Sequence, residues 1–454
     1  MDIKRSDESG DLRLSEVIGA LSHALDMTEG QPPGHCLRCC WIGMHIGAEM
    51  ALSGTERADL YYTLLLKDAG CSSNAARLWE LYGGDDRLIK EDFKRIDSQS
   101  ILQLGRFVLN HAAPSAALRE RFHRVLNLVR HGNDLATELV ATRCERGADI
   151  ALQLGFSAAV ADGIRSLDEH WNGQGRPRGL IGEAIPLQAR IALIAQVIDV
   201  FHLSGGPDAA LAEVRGRAGQ WFDPALTAAL ERVSRQPGFW MGLADAGIPQ
   251  RVADLEPAES VMLVDEDRLD GIAAAFGQVV DAKSPYTYGH SARVARFAEA
   301  IASRFELPPA RRRWLRRGAL LHDIGKLGVS NGVLDKPGAL DANEWEQMRA
   351  HARYTEEILA RIGLFGELAK VAGAHHERLD GKGYPHGLMA EEISLETRII
   401  TTADIFDAIT AERPYRGAIP VPEALRIMRS QIGNALDGCC LDALESVLPA
   451  LDLA

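Results

Sequence analysis

The sequence lacks a long uninterrupted apolar run, a secretory signal and an excess of basic residues. Its apolar stretches, such as residues 189–201, are interrupted by charged or amide side chains and fall short of the roughly 20 residues that a membrane-spanning helix needs. The N-terminal segment has no apolar core of the kind found in secretory signals. A formal net charge of −13 at pH 7 argues against general binding to nucleic acid polymers, which favour a basic face. We therefore expect a cytoplasmic protein without a membrane partner or a nucleic acid polymer as partner.

Cysteine is scarce as well, with seven residues in 454. An odd number in a chain of this length is not the pattern of a small secreted disulfide framework. Cys36 and Cys39 have the spacing of a zinc-ligand pair, but no second pair follows, so we expect buried thiols here. With 46% hydrophobic and 25% charged residues the composition is globular, and the length suits two domains.

One sequence pattern occurs twice in the chain. The matching segments are 33–38 with 288–293, 64–70 with 319–325, and 169–177 with 377–385. His35 precedes Asp68 by 33 residues, and His290 precedes Asp323 by the same number. The N-terminal copy is longer by 47 residues, which fall mostly between residues 84 and 140. Two copies are too few for a solenoid, so the sequence predicts tandem domains.

Glycine and proline cluster between residues 236 and 257, which predicts a break between the two copies. The expected domains are residues 12–235 and 261–454, joined by a linker at 236–260. Few strand-like alternations occur, so we expect an all-α fold. A capping-box pattern of Asp341 with Glu344 opens a predicted helix at residues 343–362, and further helices are expected to begin at His290 and to contain Asp404.

Histidine and aspartate recur throughout the second copy. The candidate metal ligands are His290, His322, Asp323, His351, His375, His376 and Asp404. Imidazole and carboxylate together suit first-row divalent metals, whereas an all-oxygen set would indicate magnesium or calcium. Each residue alone is compatible with an ordinary core or capping role. Several buried polar groups at once need a common partner, so the set favours a metal-dependent hydrolase.

Two motifs of this copy resemble the HD-GYP family of HD-superfamily phosphohydrolases. They are His322-Asp323-Ile-Gly-Lys326 and His375-His376-Glu-x-x-Asp-Gly-x-Gly-Tyr384-Pro385, and the similarity covers roughly residues 265–454. The resemblance implies an all-helical domain with two or three metal ions. It also implies hydrolysis of cyclic di-GMP to pGpG, GMP or both, through a hydroxide that bridges two cations and is activated by them.

The same resemblance implies a role for each residue. One ion would be held by His290, His322, Asp323 and Asp404, and the other by Asp323, His351, His375 and His376. Lys326 would act with Asp323 in catalysis, and the substrate would contact Gly383, Tyr384, Arg413 and Arg416. Members with a third metal carry glutamate where this chain has Tyr286, so two ions are expected. Iron or manganese is the first choice, with nickel or zinc as alternatives.

The first copy has lost most of the corresponding ligands. Lys67 stands in place of His322, Arg143 in place of His351, and Gln196 in place of Asp404. Because positive side chains repel a cation, we expect this half to be metal-free and inactive. Regulation, dimerisation, ligand sensing and a purely structural role are all open for it.

Two other functions fit the sequence. The same metal site serves many phosphate esters in the wider superfamily, so another cyclic dinucleotide or a nucleotide is an alternative substrate. The second alternative is a non-catalytic sensor of cyclic dinucleotides, which the intact ligand set disfavours. A homodimer or a signalling-protein partner stays open.

Overall fold

A computed structural model describes residues 12–96, 101–111, 118–258, 261–412 and 417–451. Within these ranges the regular structure is helical, with only isolated β-bridges, so the all-α prediction is confirmed. The helices of the first half are α1 (Leu14–Thr28), α2 (His35–Glu49), α3 (Gly54–Leu66), α4 (Ala75–Tyr82), α5 (Asp86–Phe93), α6 (Ile101–His111), α7 (Leu118–Gln153), α8 (Ala158–Arg165), α9 (Leu187–Gly216), α10 (Pro224–Val233), α11 (Phe239–Ala244) and α12 (Ile248–Ala253). Those of the second half are α13 (Glu266–Asp281), α14 (His290–Ala302), α15 (Pro309–Leu321), α16 (Asn331–Leu334), α17 (Ala342–Leu359), α18 (Gly366–Gly373), α19 (Leu395–Thr410), α20 (Val421–Arg429) and α21 (Gly438–Val447).

The sequence repeat is also a repeat of helix packing. In the second half α14 packs on α15 and α19, and α17 packs on α18. In the first half α2 packs on α3 and α9, and α7 packs on α8. The two sets correspond in chain order. The extra residues of the first half form α5 and α6 and lengthen α7, which has 36 residues where α17 has 18.

The predicted helices around the candidate ligands occur close to their expected positions. α17 begins after Asp341, whose side chain accepts a hydrogen bond from the Glu344 amide, while the Glu344 carboxylate accepts one from the Asp341 amide. This reciprocal cap satisfies two amides that a helix start leaves unpaired. α14 begins at His290, and Asp404 lies inside α19.

The glycine- and proline-rich segment differs from an extended linker. It forms α11 and α12, which both pack against α2. Phe239 and Val252 are buried there, and the Trp41 indole donates a hydrogen bond to the Phe239 carbonyl oxygen at 3.1 Å. Glycine and proline therefore shorten the helices of this segment without unfolding it, because apolar burial outweighs their low helix propensity.

α9 is the one helix in the described part of the chain that is long and apolar enough to cross a membrane. In the most apolar stretch of this helix 61% of the residues are buried inside the protein, and the helix packs against α2, α3 and α8. Its apolar character is accounted for by this core position. Six of the seven cysteines are buried free thiols, as expected. The seventh, Cys439, is an exposed free thiol.

Candidate metal centre

Seven histidine and aspartate side chains from five segments converge in the second half. His290 opens α14, His322 follows α15, Asp323 comes next, His351 lies in α17, His375 and His376 follow α18, and Asp404 lies in α19. We call His290, His322 and Asp404 the first cluster, and His351, His375 and His376 the second cluster. In each cluster the potential ligand atoms lie within 4.8 Å of one another.

Asp323 lies between the two clusters, and its two oxygens face opposite ways. Oδ2 is 3.3 Å from Nε2 of both His290 and His322 in the first cluster. Oδ1 is 3.6 Å from Nε2 of both His351 and His375 in the second cluster. A carboxylate in this orientation has one oxygen available for each of two cations.

Three histidines of the site are held by their own backbone. His322, His351 and His375 each place Nδ1 against the carbonyl oxygen three residues earlier, at 2.8, 2.5 and 2.6 Å. A carbonyl oxygen can only accept, so in the neutral ring Nδ1 carries the proton and Nε2 offers its lone pair to a metal. Helical geometry places the ring over the preceding turn and makes this contact local.

His290 is oriented by a carboxylate that the sequence analysis did not identify. Its Nδ1 lies 2.7 Å from Oδ2 of Asp407, and Asp407 also accepts hydrogen bonds from Nε and Nη2 of Arg293 at 2.6 and 3.0 Å. Asp407 follows Asp404 by one helical turn, so both face α14. That spacing is the signal in the sequence that could have identified it.

Glycine allows the segment after Asp323 to approach α17. A Cβ on Gly325 would lie 2.0 Å from the His351 carbonyl oxygen, so a larger residue does not fit. Thr355 bridges the same contact, accepting a hydrogen bond from the Gly325 amide at 3.0 Å and donating to the His322 carbonyl at 2.9 Å. This close packing brings Asp323 within reach of His351.

The residues present fit a metal centre. His290 Nε2, His322 Nε2 and Asp323 Oδ1 are buried and have no hydrogen-bond partner, which is costly unless a cation binds them. Burial lowers the pKa of His351 to about 3 and that of His376 to about 4, so both rings are neutral near pH 7. Burial alone would raise the pKa of Asp323, but the charge of the His322 ring when it is doubly protonated, together with that of Lys326, holds it well below its usual range.

Lys326, predicted as catalytic, and Tyr384, predicted as a substrate contact, each lie beside a candidate metal ligand. The Lys326 Nζ atom is 2.5 Å from Asp323 Oδ2, and the Tyr384 ring lies 4.8 Å from the His376 ring, measured between centroids. Gly383 is tightly enclosed, since a Cβ there would lie 2.4 Å from the Arg378 amide nitrogen. The two predicted phosphate contacts, Arg413 and Arg416, lie outside the described residues.

A further arginine lies beside Tyr384 and was not identified from the sequence. The Arg349 guanidinium is 5.6 Å from the centroid of the Tyr384 ring and 5.7 Å from that of the Trp345 ring. Arg349 and Trp345 are exposed on α17. Trp345 and Arg349 lie side by side on α17 because residues four apart share one face of a helix.

The first half repeats the orienting residues and replaces the ligands. His35 Nδ1 lies 2.6 Å from Asp199 Oδ2, and Arg38 donates from Nε to Asp199 Oδ1 at 2.6 Å, as in the trio of His290, Asp407 and Arg293. Lys67 contacts Asp68 and lies 3.0 Å from His35 Nε2, so its ammonium occupies the position of a cation. These contacts support the prediction that this half is metal-free.

Two sets of three potential ligands in the first half are also satisfied by protein cations. They are His35, Cys39 and Asp199, and Glu29, Asp68 and Cys71. Arg38 and Lys67 contact the first set, and Lys94 Nζ lies 2.7 Å from Glu29 Oε2 in the second. Arg143, in the position of His351, forms an ion pair with Asp168, in the position of His376.

Comparison with known families matches two segments of the chain. The model of the HD domain family matches residues 123–226 and 275–439. HD-domain phosphohydrolases generally depend on divalent metals, and the two clusters are candidate groups for holding them. The first matched segment lies in the first half of the chain and the second in the second half, and the division into tandem domains stays a prediction.

Individual relatives show to which group within the HD-domain family the chain is similar. It is 54% identical to 3'3'-cGAMP-specific phosphodiesterase 3 of Vibrio cholerae over 438 residues, which cover 96% of this chain and 95% of that one. It is 36% identical to the cyclic di-GMP phosphodiesterase response regulator RpfG of Xanthomonas campestris over 39% of this chain and 48% of that one. A crystal structure of a cyclic GMP-AMP specific phosphodiesterase of V. cholerae matches with a TM-score of 0.68 at 50% identity, covering 98% of this chain and 99% of that one. The chain therefore belongs to the HD-GYP phosphodiesterases of the HD-domain family.

Proposed function

We propose that the protein is a cytoplasmic phosphodiesterase that opens cyclic dinucleotides, with 3'3'-cGAMP as its principal substrate and two divalent ions in the second half. The observation that carries the proposal is Asp323, whose two oxygens each face one cluster of ligand atoms. Iron or manganese is the preferred metal, because imidazole and carboxylate are mixed in the site.

The choice of substrate differs from the first expectation, cyclic di-GMP. The similarity to the 3'3'-cGAMP-specific relative extends over both halves of the chain, including the degenerate one. The similarity to the cyclic di-GMP phosphodiesterase of X. campestris covers 39% of this chain at 36% identity. Similarity over the whole length favours 3'3'-cGAMP, and cyclic di-GMP becomes the second candidate.

The chain's own residues hold and orient the phosphodiester. When bound, a pair of divalent ions would activate water and neutralise charge on the phosphate. Lys326 adds a positive charge beside Asp323, where it can contact a phosphate oxygen. His290 is kept in one orientation by Asp407, and three of the other four rings are held by backbone carbonyls, so most ligand atoms are preorganised.

Tyr384, Arg349 and Trp345 form the adjacent surface. A cyclic dinucleotide has two bases and two phosphates, and the cleaved phosphate occupies only one part of it. An aromatic ring can stack on a base, and a guanidinium can bind a phosphate or stack on a base. We place the second half of the substrate on this surface, which simple phosphodiesters cannot reach.

A panel of substrates tests the proposal. Purified protein loaded with iron or manganese is incubated separately with 3'3'-cGAMP, cyclic di-GMP, cyclic di-AMP and a chromogenic phosphodiester, and the products are separated by chromatography. We expect the fastest hydrolysis with 3'3'-cGAMP. Faster hydrolysis of cyclic di-GMP would restore the second candidate. Equal or faster hydrolysis of the chromogenic ester would contradict recognition of a dinucleotide, and no hydrolysis would favour a sensor.

A further inference from the structure

The first half contains a large cavity away from the candidate metal centre. Its volume is about 640 Å³, and it is bounded by α4, α5, α6 and α7 on one side and by residues of the degenerate site on the other. Pockets that bind small molecules in proteins measure about 300–1,000 Å³. The cavity lies where the first half has its additional 47 residues.

One end of the cavity is apolar. The side chains there come from four helices and include Leu81, Ile89, Phe93, Phe107, Leu135 and Leu139. Leu81, Ile89 and Phe107 also belong to a small apolar cluster that is separate from the main core. This end can accept an alkyl chain or a ring system, since both gain free energy on leaving water.

The other end is charged. The charged side chains that line it are Lys90, Lys94, Arg143, Arg176, Glu29 and Asp168. Glu29 is paired with Lys94 and lies 3.6 Å from Lys90, and Asp168 is paired with Arg143. Lys90 also lies 3.9 Å from Asp86, which does not line the cavity. Among the described lining residues, basic side chains outnumber acidic ones by two. The cavity therefore favours an anion over a cation at this end.

Short side chains on α7 keep the cavity open. Gly132 and Ala136 lie one turn apart and both line it. A Cβ added to Gly132 would meet no atom within 4 Å, so the fold has room for a larger residue. Glycine inside a helix costs about 1 kcal/mol relative to alanine. The sequence bears that cost at a position where a larger side chain would reduce the cavity.

We propose that this cavity binds one molecule of an amphiphile with an anionic head group, of the alkyl carboxylate class. The carboxylate would lie near Lys90, Arg143 and Arg176, and the alkyl chain among the apolar side chains of α4 to α7. This site is independent of the proposed phosphodiesterase activity. It gives the degenerate half a ligand-binding role, which was one of the possibilities left open by its lost metal ligands.

α5 connects this site to the candidate metal centre. One face of the helix lines the cavity, and its first turn contacts the segment that follows Asp323 in the second half. Asp86 Oδ1 accepts a hydrogen bond from the Asn331 amide at 2.9 Å, and Arg87 Nη1 donates to the Gly328 carbonyl oxygen at 2.5 Å. A ligand that shifts α5 would therefore shift residues 324–331.

Equilibrium dialysis tests binding, with octanoate, dodecanoate and hexadecanoate as probes. We expect saturable binding of one molecule per chain for at least one chain length, and at least about tenfold weaker binding of the alkylamine of the same length. Ala136→Trp should weaken binding at least about tenfold by filling the cavity. Glu138→Trp, an exposed position on the same helix, should bind as the wild type does.

Three outcomes would overturn the site. They are no stoichiometric binding of any of the acids, undiminished binding by Ala136→Trp, and equal binding of the amine. Circular dichroism checks the fold of each variant, and Gly132→Leu replaces Ala136→Trp if the latter does not fold.

Amide hydrogen exchange tests the connection without using activity. Ligand binding should change exchange in residues 324–331, and Arg87→Ala should remove that change while binding persists. If the ligand binds and exchange of this segment is the same with and without it, the proposed connection through α5 is wrong.

Discussion

Replacing Asp407 with asparagine should weaken metal binding without removing a ligand. Asp407 is buried and uses both oxygens, one on His290 Nδ1 at 2.7 Å and both on Arg293 at 2.6 and 3.0 Å. Asparagine has the size of aspartate but only one acceptor oxygen. Its NH2 group would face an N–H donor of His290 or Arg293. The ring of His290 then loses its fixed orientation, and Nε2 loses basicity.

The expected loss of metal affinity follows from the typical contribution of such orienting contacts to metal binding. Removing the partner of a metal-bound histidine typically lowers metal affinity by about 10- to 100-fold, which corresponds to about 1.4–2.7 kcal/mol. Competition with a chelator of known affinity measures the change. The ion of the first cluster should be lost first, since His290 belongs to that cluster.

The first half provides a matched control. Asp199 makes the same contacts to His35 and Arg38 as Asp407 does to His290 and Arg293. Asp199→Asn should leave metal affinity unchanged, although it disturbs an equally buried trio. Metal binding by Asp407→Asn as tight as in the wild type, or an equal loss in Asp199→Asn, would refute this reasoning.

Three further predictions concern catalysis, substrate binding and stability. Lys326→Met should lower kcat by about 10²-fold with metal content unchanged, because one charge beside the phosphate is lost; an unchanged kcat would contradict its role. Arg349→Ala should raise KM for the cyclic dinucleotide about tenfold, whereas Arg353→Ala, exposed one turn further along α17, should not; equal effects would argue against the proposed surface. Burial, together with the charge of Lys67, lowers the pKa of His35 to about 4, so the unfolded chain takes up a proton below about pH 6.5 that the folded chain does not. Stability should thus fall by about 2 kcal/mol more in the wild type than in His35→Gln between pH 7 and pH 5 in urea unfolding, and parallel curves would show that His35 does not titrate in this way.

The seven histidine and aspartate residues of the second half could be predicted as one site because their spacing is carried by short helical motifs. His322 and Asp323 are adjacent, as are His375 and His376, and the repeat aligns each with a position in the first half. The structure brings all seven together, and their assignment as metal ligands stays a proposal. The all-α fold class followed from the scarcity of strand-like alternation in the sequence.

Other features could not be obtained from the sequence because they depend on contacts between distant residues. Asp407 is 117 residues from His290, and a buried aspartate in an apolar helix has many possible partners. The sequence predicted that Lys67 would repel a metal ion. It did not predict that the Lys67 ammonium itself would occupy the position of the cation and form hydrogen bonds there. The cavity lies beside the insertion of the first half, which has no matching segment in the second copy of the sequence, so the repeat could not predict it.

The most direct test compares two single variants in hydrolysis of 3'3'-cGAMP. Asp323→Ala removes the carboxylate between the clusters, and Asp68→Ala makes the same change in the degenerate half. Both proteins are loaded with manganese, checked for helical content, and measured for bound metal and for linear product. We predict that Asp323→Ala loses most bound metal and about 10³-fold or more of the activity, while Asp68→Ala keeps two ions per chain and remains active. Two ions and near wild-type hydrolysis in Asp323→Ala, or loss of metal in Asp68→Ala, would contradict a catalytic metal centre confined to the second half.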